Sequence, residues 1–176
     1  AADACRLGRH ASRSMPPSEL PSLRLRVLSR VLLPQFFEFG GCIFVRHVAS
    51  ERLFRAARAG RPHTGSWDPD RTGAEAFENH LHPLDLFVQG LSQRMSGPAF
   101  RSAELLGQAI AHSWFSHLVR AFPGQRFRIY YSRSNHPTVR FHRCYRGEPS
   151  WLDEAAYARD VARGHLLVLE TPGRAA

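Results

Sequence analysis

Two short runs of alternating residues, separated by a turn, constrain the fold of this chain more than any other part of its sequence. In the first run Phe127, Ile129 and Tyr131 alternate with arginine and tyrosine, which is the two-residue period of a half-buried strand. The Ser-Asn-His-Pro segment at 134–137 favours a turn, because Asn tolerates unusual backbone angles and Pro pre-sets one. A second alternating run follows the turn, so we predict a β-hairpin across residues 126–145.

The residues after this hairpin predict a helix and then a strand. Ser150 with Asp153 three positions later has the spacing of a capping box, which predicts that a helix begins there. Gly164 is a typical helix end. The apolar run at 165–169 then predicts a short strand.

Similar patterns upstream predict a second hairpin and further helices. Apolar β-forming residues on both sides of Gly40 and Gly41 favour a hairpin over residues 36–45. Helical spacing of apolar residues predicts helices from Ser18 or Ser22 to about Leu33, Glu51 to Ala59, Ala74 to about His80, and Phe100 to Phe122. We therefore expect an α+β fold, with an antiparallel sheet built from two β-hairpins plus a C-terminal strand and helices packed on one face. The expected organisation is a flexible N-terminal segment, 1–17, and one α+β domain, 18–172.

The charge of the chain favours acidic partners. The formal net charge is +9, and all 24 basic residues are arginine. A bacterial-like, GC-rich genome is one explanation of that bias, and bidentate recognition of anionic groups is another. Three cysteines without a CxxC spacing indicate a reducing, cytoplasmic location. The sequence has no apolar run long enough to span a membrane, so we expect a soluble protein without a membrane partner.

The polar face of the C-terminal hairpin is the first candidate site. Its guanidinium, phenol and imidazole groups belong to Arg126, Arg128, Tyr130, Arg140 and His142. Such a face can bind an acidic protein or peptide or stack and hold a nucleic acid, or it can be an ordinary solvated surface. Either binding hypothesis requires that internal ion pairs do not engage all of the arginines. Trp67, in a loop rich in Pro, His and Asp, is a further candidate contact.

A second candidate site is a possible metal centre in residues 78–85. In an extended segment His80 and His82 point the same way and could share zinc or another divalent metal, with Asp85 or Glu78 as an oxygen ligand. A metal-dependent hydrolase would need a further ligand, for which His112 and His117 are candidates. The alternative is that these residues cap and hydrogen-bond a buried loop.

The remaining chemistry is less constrained. His142 could activate Cys144 as a nucleophile, although a cysteine in a strand is usually a packing residue. We expect Trp114 and Trp151 to lie in the core. Walker, dinucleotide-binding, nucleophile-elbow and HExxH motifs are absent from the sequence. Enzymatic activity therefore stays open, and the leading hypothesis is a non-catalytic binding module for an acidic protein or peptide, with a metal-dependent hydrolase and a nucleic-acid-binding protein as alternatives.

Overall fold

The structure is a computed structural model that describes residues 25–60, 70–87, 97–134 and 136–173. Its elements in chain order are α1 (Leu25–Leu32), β1 (Phe36–Phe39), β2 (Cys42–Val45), α2 (Glu51–Arg58), α3 (Arg71–Glu78), a 3₁₀ turn (Pro83–Leu86), α4 (Pro98–Ala121), β3 (Phe127–Ser132), β4 (Thr138–Arg143), α5 (Ala158–Ala162) and β5 (Leu166–Glu170). The predicted α+β fold is confirmed, including both hairpins and the C-terminal strand. The expectations for residues 1–17 and for Trp67 lie outside the described residues. None of the helices in the described ranges has the length and apolarity needed to cross a bilayer.

The first hairpin is made by a turn of two glycines. Gly40 and Gly41 have φ angles of 59° and 76°, a region that glycine enters without the steric cost that a Cβ atom would impose. The turn places Phe39 opposite Cys42 in an antiparallel register. This hairpin forms a two-stranded sheet of its own, separate from the other three strands.

The second sheet has the strand order β4-β3-β5, and both of its pairings are antiparallel. One face carries the buried residues Phe127, Ile129 and Tyr131 of β3, as the alternation predicted. Helix α4 packs on this face, with the fully buried ring of Trp114 against Phe141 at a centroid distance of 5.7 Å. The long helix therefore closes the apolar face and leaves the polar face for another part of the chain.

Side chains of α3 join the two sheets. The Glu75 carboxylate accepts hydrogen bonds from the backbone N–H of Ile43 in β2, at 2.6 Å, and from that of Arg143 in β4. One helical turn later, Asn79 accepts from the Val45 N–H at 2.9 Å and donates to the Ile43 carbonyl at 2.8 Å. These side chains satisfy buried backbone groups that a neighbouring strand would otherwise pair.

Two helix starts differ from the sequence prediction by three residues or more, while α4 begins at Pro98, two residues before the predicted Phe100. The helix predicted to begin at Ser150 is wrong: α5 begins only at Ala158, because the Ser150 hydroxyl accepts a hydrogen bond from Arg128 instead of capping a helix. Helix α3 begins at Arg71, three residues before the predicted start, because Asp70 caps it by accepting from the Gly73 N–H.

Candidate functional site

The register of the three-stranded sheet gathers the predicted binding residues on one face. Arg128 lies opposite His142, and Tyr130 lies opposite both Arg140 and Val168. The segment after β4 folds back over this face, so that the face is partly covered by residues 150–157 and not fully open to solvent. What each side chain can still bind therefore depends on its contacts with that segment.

Two of the predicted arginines are held in internal ion pairs. Glu170 accepts from the Nε atoms of Arg126, at 3.0 Å, and Arg128, at 2.9 Å. Arg128 also donates to Glu154 at 2.7 Å and to the Ser150 hydroxyl at 2.6 Å. Burial opposes the charge of Arg128, but its bond to Glu170 leaves the pKa of the guanidinium above its usual value. These two cations have partners within the chain and attract an external anion only weakly.

His142 is buried and takes a structural part. Its Nδ1 lies 2.9 Å from the Arg143 carbonyl oxygen, and its Nε2 lies 3.4 Å from the Trp151 backbone nitrogen. A neutral imidazole with its proton on Nδ1 donates to the first and accepts from the second. Burial lowers the pKa of His142, in agreement with that neutral form. His142 thus ties the covering segment to the sheet, and its ring stacks on Tyr130 with a centroid distance of 5.8 Å.

Arg140 differs from the other two arginines because no described residue supplies a counter-ion for its charge. Within the described part of the chain, its guanidinium makes no ion pair or hydrogen bond. It lies over the ring of Trp151 in a cation–π contact, 5.3 Å from the ring centroid. Burial alone lowers the pKa of Arg140. Removing a cation from water without pairing it with a carboxylate costs free energy. Of the three arginines, Arg140 therefore gains most from binding an external anion.

Arg140 opens into a cleft of about 530 Å³ between the sheet face and the segment that covers it. Such a volume is within the range of small-molecule and side-chain binding sites. The walls are mainly aromatic and aliphatic, with hydroxyl and charged groups at the rim. The lining residues beside Arg140 are Tyr130, Ser132, Arg133, Ser134, Trp151, Leu152, Tyr157, Asp160, His165 and Leu166.

Two other charged residues that line the cleft, Arg133 and Asp160, each lie beside a group that can carry the opposite charge, which for His165 requires protonation. Arg133 forms an ion pair with Glu104 of α4, and His165 lies 3.7 Å from Asp160. Burial raises the pKa of Tyr130 to about 12, so that the phenol stays protonated, and it donates its hydrogen to Glu154 at 3.2 Å. Among the residues that the structure describes, Arg140 is therefore the cation of the cleft for which no carboxylate partner is found, and its surroundings are largely apolar.

The predicted metal residues lie beside the start of β4, where Leu81 pairs with Val139. The rings of His80 and His82 are 5.3 Å apart, and His82 is 5.8 Å from His136. Asp85 is exposed, while His82 lies 3.1 Å from the Thr138 hydroxyl and burial lowers its pKa. Over the described ranges, no group of three or more His, Cys, Asp or Glu side chains is arranged to hold a metal ion. The metal prediction therefore gains no support from this geometry.

Cys144 has little of the environment that activates a thiol. Burial raises its pKa, which disfavours the thiolate. Both ring nitrogens of His142, the expected base, are already within hydrogen-bonding distance of backbone groups. Cys42 lies in the core, where burial raises its pKa to about 12.

Of the two tryptophans predicted to lie in the core, one does and one does not. Trp114 is fully buried as expected, whereas Trp151 is 42% exposed and the prediction that it lies in the core is wrong. Trp151 and Tyr157 are the site residues that sequence reasoning missed. The available signal was the density of large apolar residues at 151–161 in a segment that is otherwise polar.

Comparisons of the chain with protein-family models, curated proteins and solved structures find no match.

Proposed function

We propose that this chain is a binding module that receives an acidic side chain of a partner protein or peptide in the cleft at Arg140. The observation that carries the proposal is the half-buried Arg140 guanidinium, which faces the cleft without a carboxylate from the described part of the chain. A bound carboxylate would supply the missing charge and accept two parallel hydrogen bonds from the planar guanidinium.

The arrangement of charges favours a carboxylate over a polynucleotide. Nucleic-acid sites neutralise a succession of phosphates along a basic track. On this face Arg126 and Arg128 are already paired with Glu170 and Glu154, so that among the described residues of the face Arg140 is the one arginine without a carboxylate partner. A site of that kind suits one acidic group in an enclosed position.

The net charge of +9 supports the same class of partner. An excess of positive charge accelerates encounter with acidic surfaces at low salt. Long-range attraction would bring the acidic partner to the surface, and the buried guanidinium would then discriminate between a carboxylate and its neutral amide.

Calorimetric titration with a pair of blocked peptides tests this function. The probes are acetyl-Gly-Glu-Glu-Glu-Gly-amide and its counterpart with Gln in place of each Glu, which have the same length and nearly the same shape. We expect the Glu peptide to bind and the Gln peptide to bind about tenfold or more weakly, since a hydrogen bond between charged groups contributes ~1.5–3 kcal/mol.

Two variants with the same loss of charge make the titration specific for the cleft. Arg140→Ala should remove the preference for the Glu peptide. Arg58→Ala, at an exposed position of α2, should retain it. Equal binding of both peptides by the unmodified chain, or equal effects of the two variants, would count against the proposal.

A further inference from the structure

The cleft is larger and more apolar than an acidic side chain needs. Its volume of about 530 Å³ exceeds what one carboxylate and its short stem can fill. Tyr130, Trp151 and Tyr157 contribute aromatic surface, and Leu152 and Leu166 contribute aliphatic surface. A ligand that offered only a carboxylate would leave this surface in contact with water.

The same wall continues outward as an exposed apolar surface. Trp151, Tyr157 and Val161 are each more than 40% exposed, although they fall within eleven positions of the chain. Large exposed aromatic side chains beside a binding pocket are typical of protein-recognition surfaces, where they provide contact area at low entropic cost. These apolar side chains lie next to Arg140, so that a surface for an apolar group adjoins the cation that would bind an anion.

We propose that the partner's recognition element is an acidic residue adjacent to an aromatic residue, so that the carboxylate pairs with Arg140 while the aromatic ring packs against Tyr157 and Trp151. This inference rests on the proposed function, because it specifies which acidic peptide the same cleft selects. The ring of Trp151 already contacts the Arg140 guanidinium, and it therefore borders both halves of the site.

The two halves of the site contribute in physically different ways. The Arg140 half discriminates a carboxylate from an amide through charge and two directed hydrogen bonds. The aromatic half discriminates by apolar area removed from water, with an additional gain from edge-to-face or offset ring contacts. Each half can consequently be removed from the protein or from the peptide independently of the other.

Four blocked tetrapeptides separate the two contributions. They are acetyl-Gly-X-Z-Gly-amide with Glu or Gln at X and Phe or Ala at Z, titrated by calorimetry at one salt concentration. We expect the Glu-Phe peptide to bind about tenfold or more tightly than Glu-Ala, because only its phenyl ring leaves water on binding. We expect a similar ratio over Gln-Phe, because only a carboxylate pairs with the Arg140 charge.

Variants then assign each preference to its residue. Tyr157→Ala should reduce the preference for Phe over Ala and leave the preference for Glu over Gln. Arg140→Ala should have the opposite effect. Phe77→Ala is the matched control, because Phe77 is an exposed aromatic residue, at 64%, on α3, and it does not line the cleft.

The outcomes distinguish this inference from the function on which it rests. Equal affinities for Glu-Phe and Glu-Ala, with both above their Gln counterparts, would overturn the aromatic requirement and leave acidic binding in place. Equal affinities for Glu and Gln peptides would overturn both proposals. A Phe preference that survives Tyr157→Ala and Trp151→Ala would place the aromatic contact outside this cleft and contradict the inference.

Discussion

The phenol oxygen of Tyr145 lies 2.6 Å from Oε1 of Glu75 and 3.0 Å from the carbonyl oxygen of Gly41. A phenol has one hydrogen, so it cannot donate to both acceptors at once. If Glu75 carries a proton, it can donate to Tyr145, which then donates to Gly41, and each oxygen is satisfied. Burial raises the pKa of Glu75, which agrees with protonation above the pH at which an exposed glutamate ionises.

The raised pKa of Glu75 predicts a particular pH dependence of stability. A carboxyl group whose pKa is higher in the folded state contributes stability below its unfolded pKa and loses that contribution as the pH rises through the folded pKa. We therefore subtract the unfolding free energy of Glu75→Gln from that of the unmodified chain and expect this difference to decrease as pH rises above about 4.5. Urea unfolding at a series of pH values measures it.

The comparison with Glu75→Gln matters because other groups respond in the opposite direction. Burial opposes ionisation of Glu170, but its bonds to Arg126 and Arg128 hold the pKa of that carboxyl below its usual value. Its contribution to stability is therefore lost as the pH falls. The Gln variant retains the Glu170 interactions and cancels them from the difference. A difference that grows with pH would contradict the assignment to Glu75.

The hydrogen bonds of the Asn79 amide predict that its replacement lowers the stability of the fold. Replacement by Ala would leave the Val45 N–H and the Ile43 carbonyl buried without partners. Since each unsatisfied buried group costs ~1–3 kcal/mol, Asn79→Ala should lower the unfolding free energy by about 2 kcal/mol or more. Gln35→Ala removes an exposed amide and should change it by less than about 0.5 kcal/mol. Similar losses in the two variants would show that Asn79 does not hold these two β2 backbone groups in this way.

The close packing of Gly107 beneath the sheet predicts that a larger residue at this position destabilises the fold. A Cβ atom at this position would lie 2.5 Å from a ring carbon of Tyr131, which is fully buried. Gly107→Ala gains helix propensity, but the ring must move within a close-packed core, so we expect a net loss of about 1–3 kcal/mol. Thermal unfolding of this variant beside Gly41→Ala, where the turn rather than packing is affected, would separate the two causes. An unchanged melting temperature for Gly107→Ala would contradict the close approach.

We expect substitution by Met to have different effects on the unfolding free energy at Arg128 and at Arg140. Arg128→Met removes a guanidinium bound by Glu154 and Glu170, and it should lower the unfolding free energy by about 1 kcal/mol or more. Arg140→Met keeps the aliphatic stem and removes a desolvated charge for which the described residues supply no counter-ion, so stability should be unchanged or higher. Denaturant unfolding of both variants checks this. A larger loss for Arg140→Met would mean that the cation is satisfied within the chain.

Local patterns predicted most of the fold, because alternation and helical spacing report which face of an element is buried. The alternation of Phe127, Ile129 and Tyr131 identified β3 and its apolar face correctly. The helix predicted at Ser150 failed for a reason that no local pattern contains. The Ser150 hydroxyl accepts from Arg128, 22 residues away, and that tertiary contact replaces the local cap.

The candidate site was less predictable for the same reason. The two-residue period correctly placed Arg128 and Arg140 on one face. It could not show that Glu154 and Glu170 pair with Arg128, while no carboxylate in the described ranges pairs with Arg140. That difference depends on how the segment after β4 covers the sheet. The cleft and its aromatic wall are products of the same covering segment, and they appear only when the chain is folded.

The central claim, that the Arg140 guanidinium binds an external carboxylate, can be observed at the atom concerned. Nitrogen-15 NMR resolves arginine Nε–H resonances, and the Arg140→Lys variant identifies the resonance of Arg140 by its absence. On titration with the blocked Glu-Phe peptide we expect this resonance to shift progressively to saturation, while that of Arg58 stays unchanged and the Gln-Phe peptide produces little effect. An Arg140 resonance that does not move at saturating peptide, or that moves equally with the Gln peptide, would contradict the account.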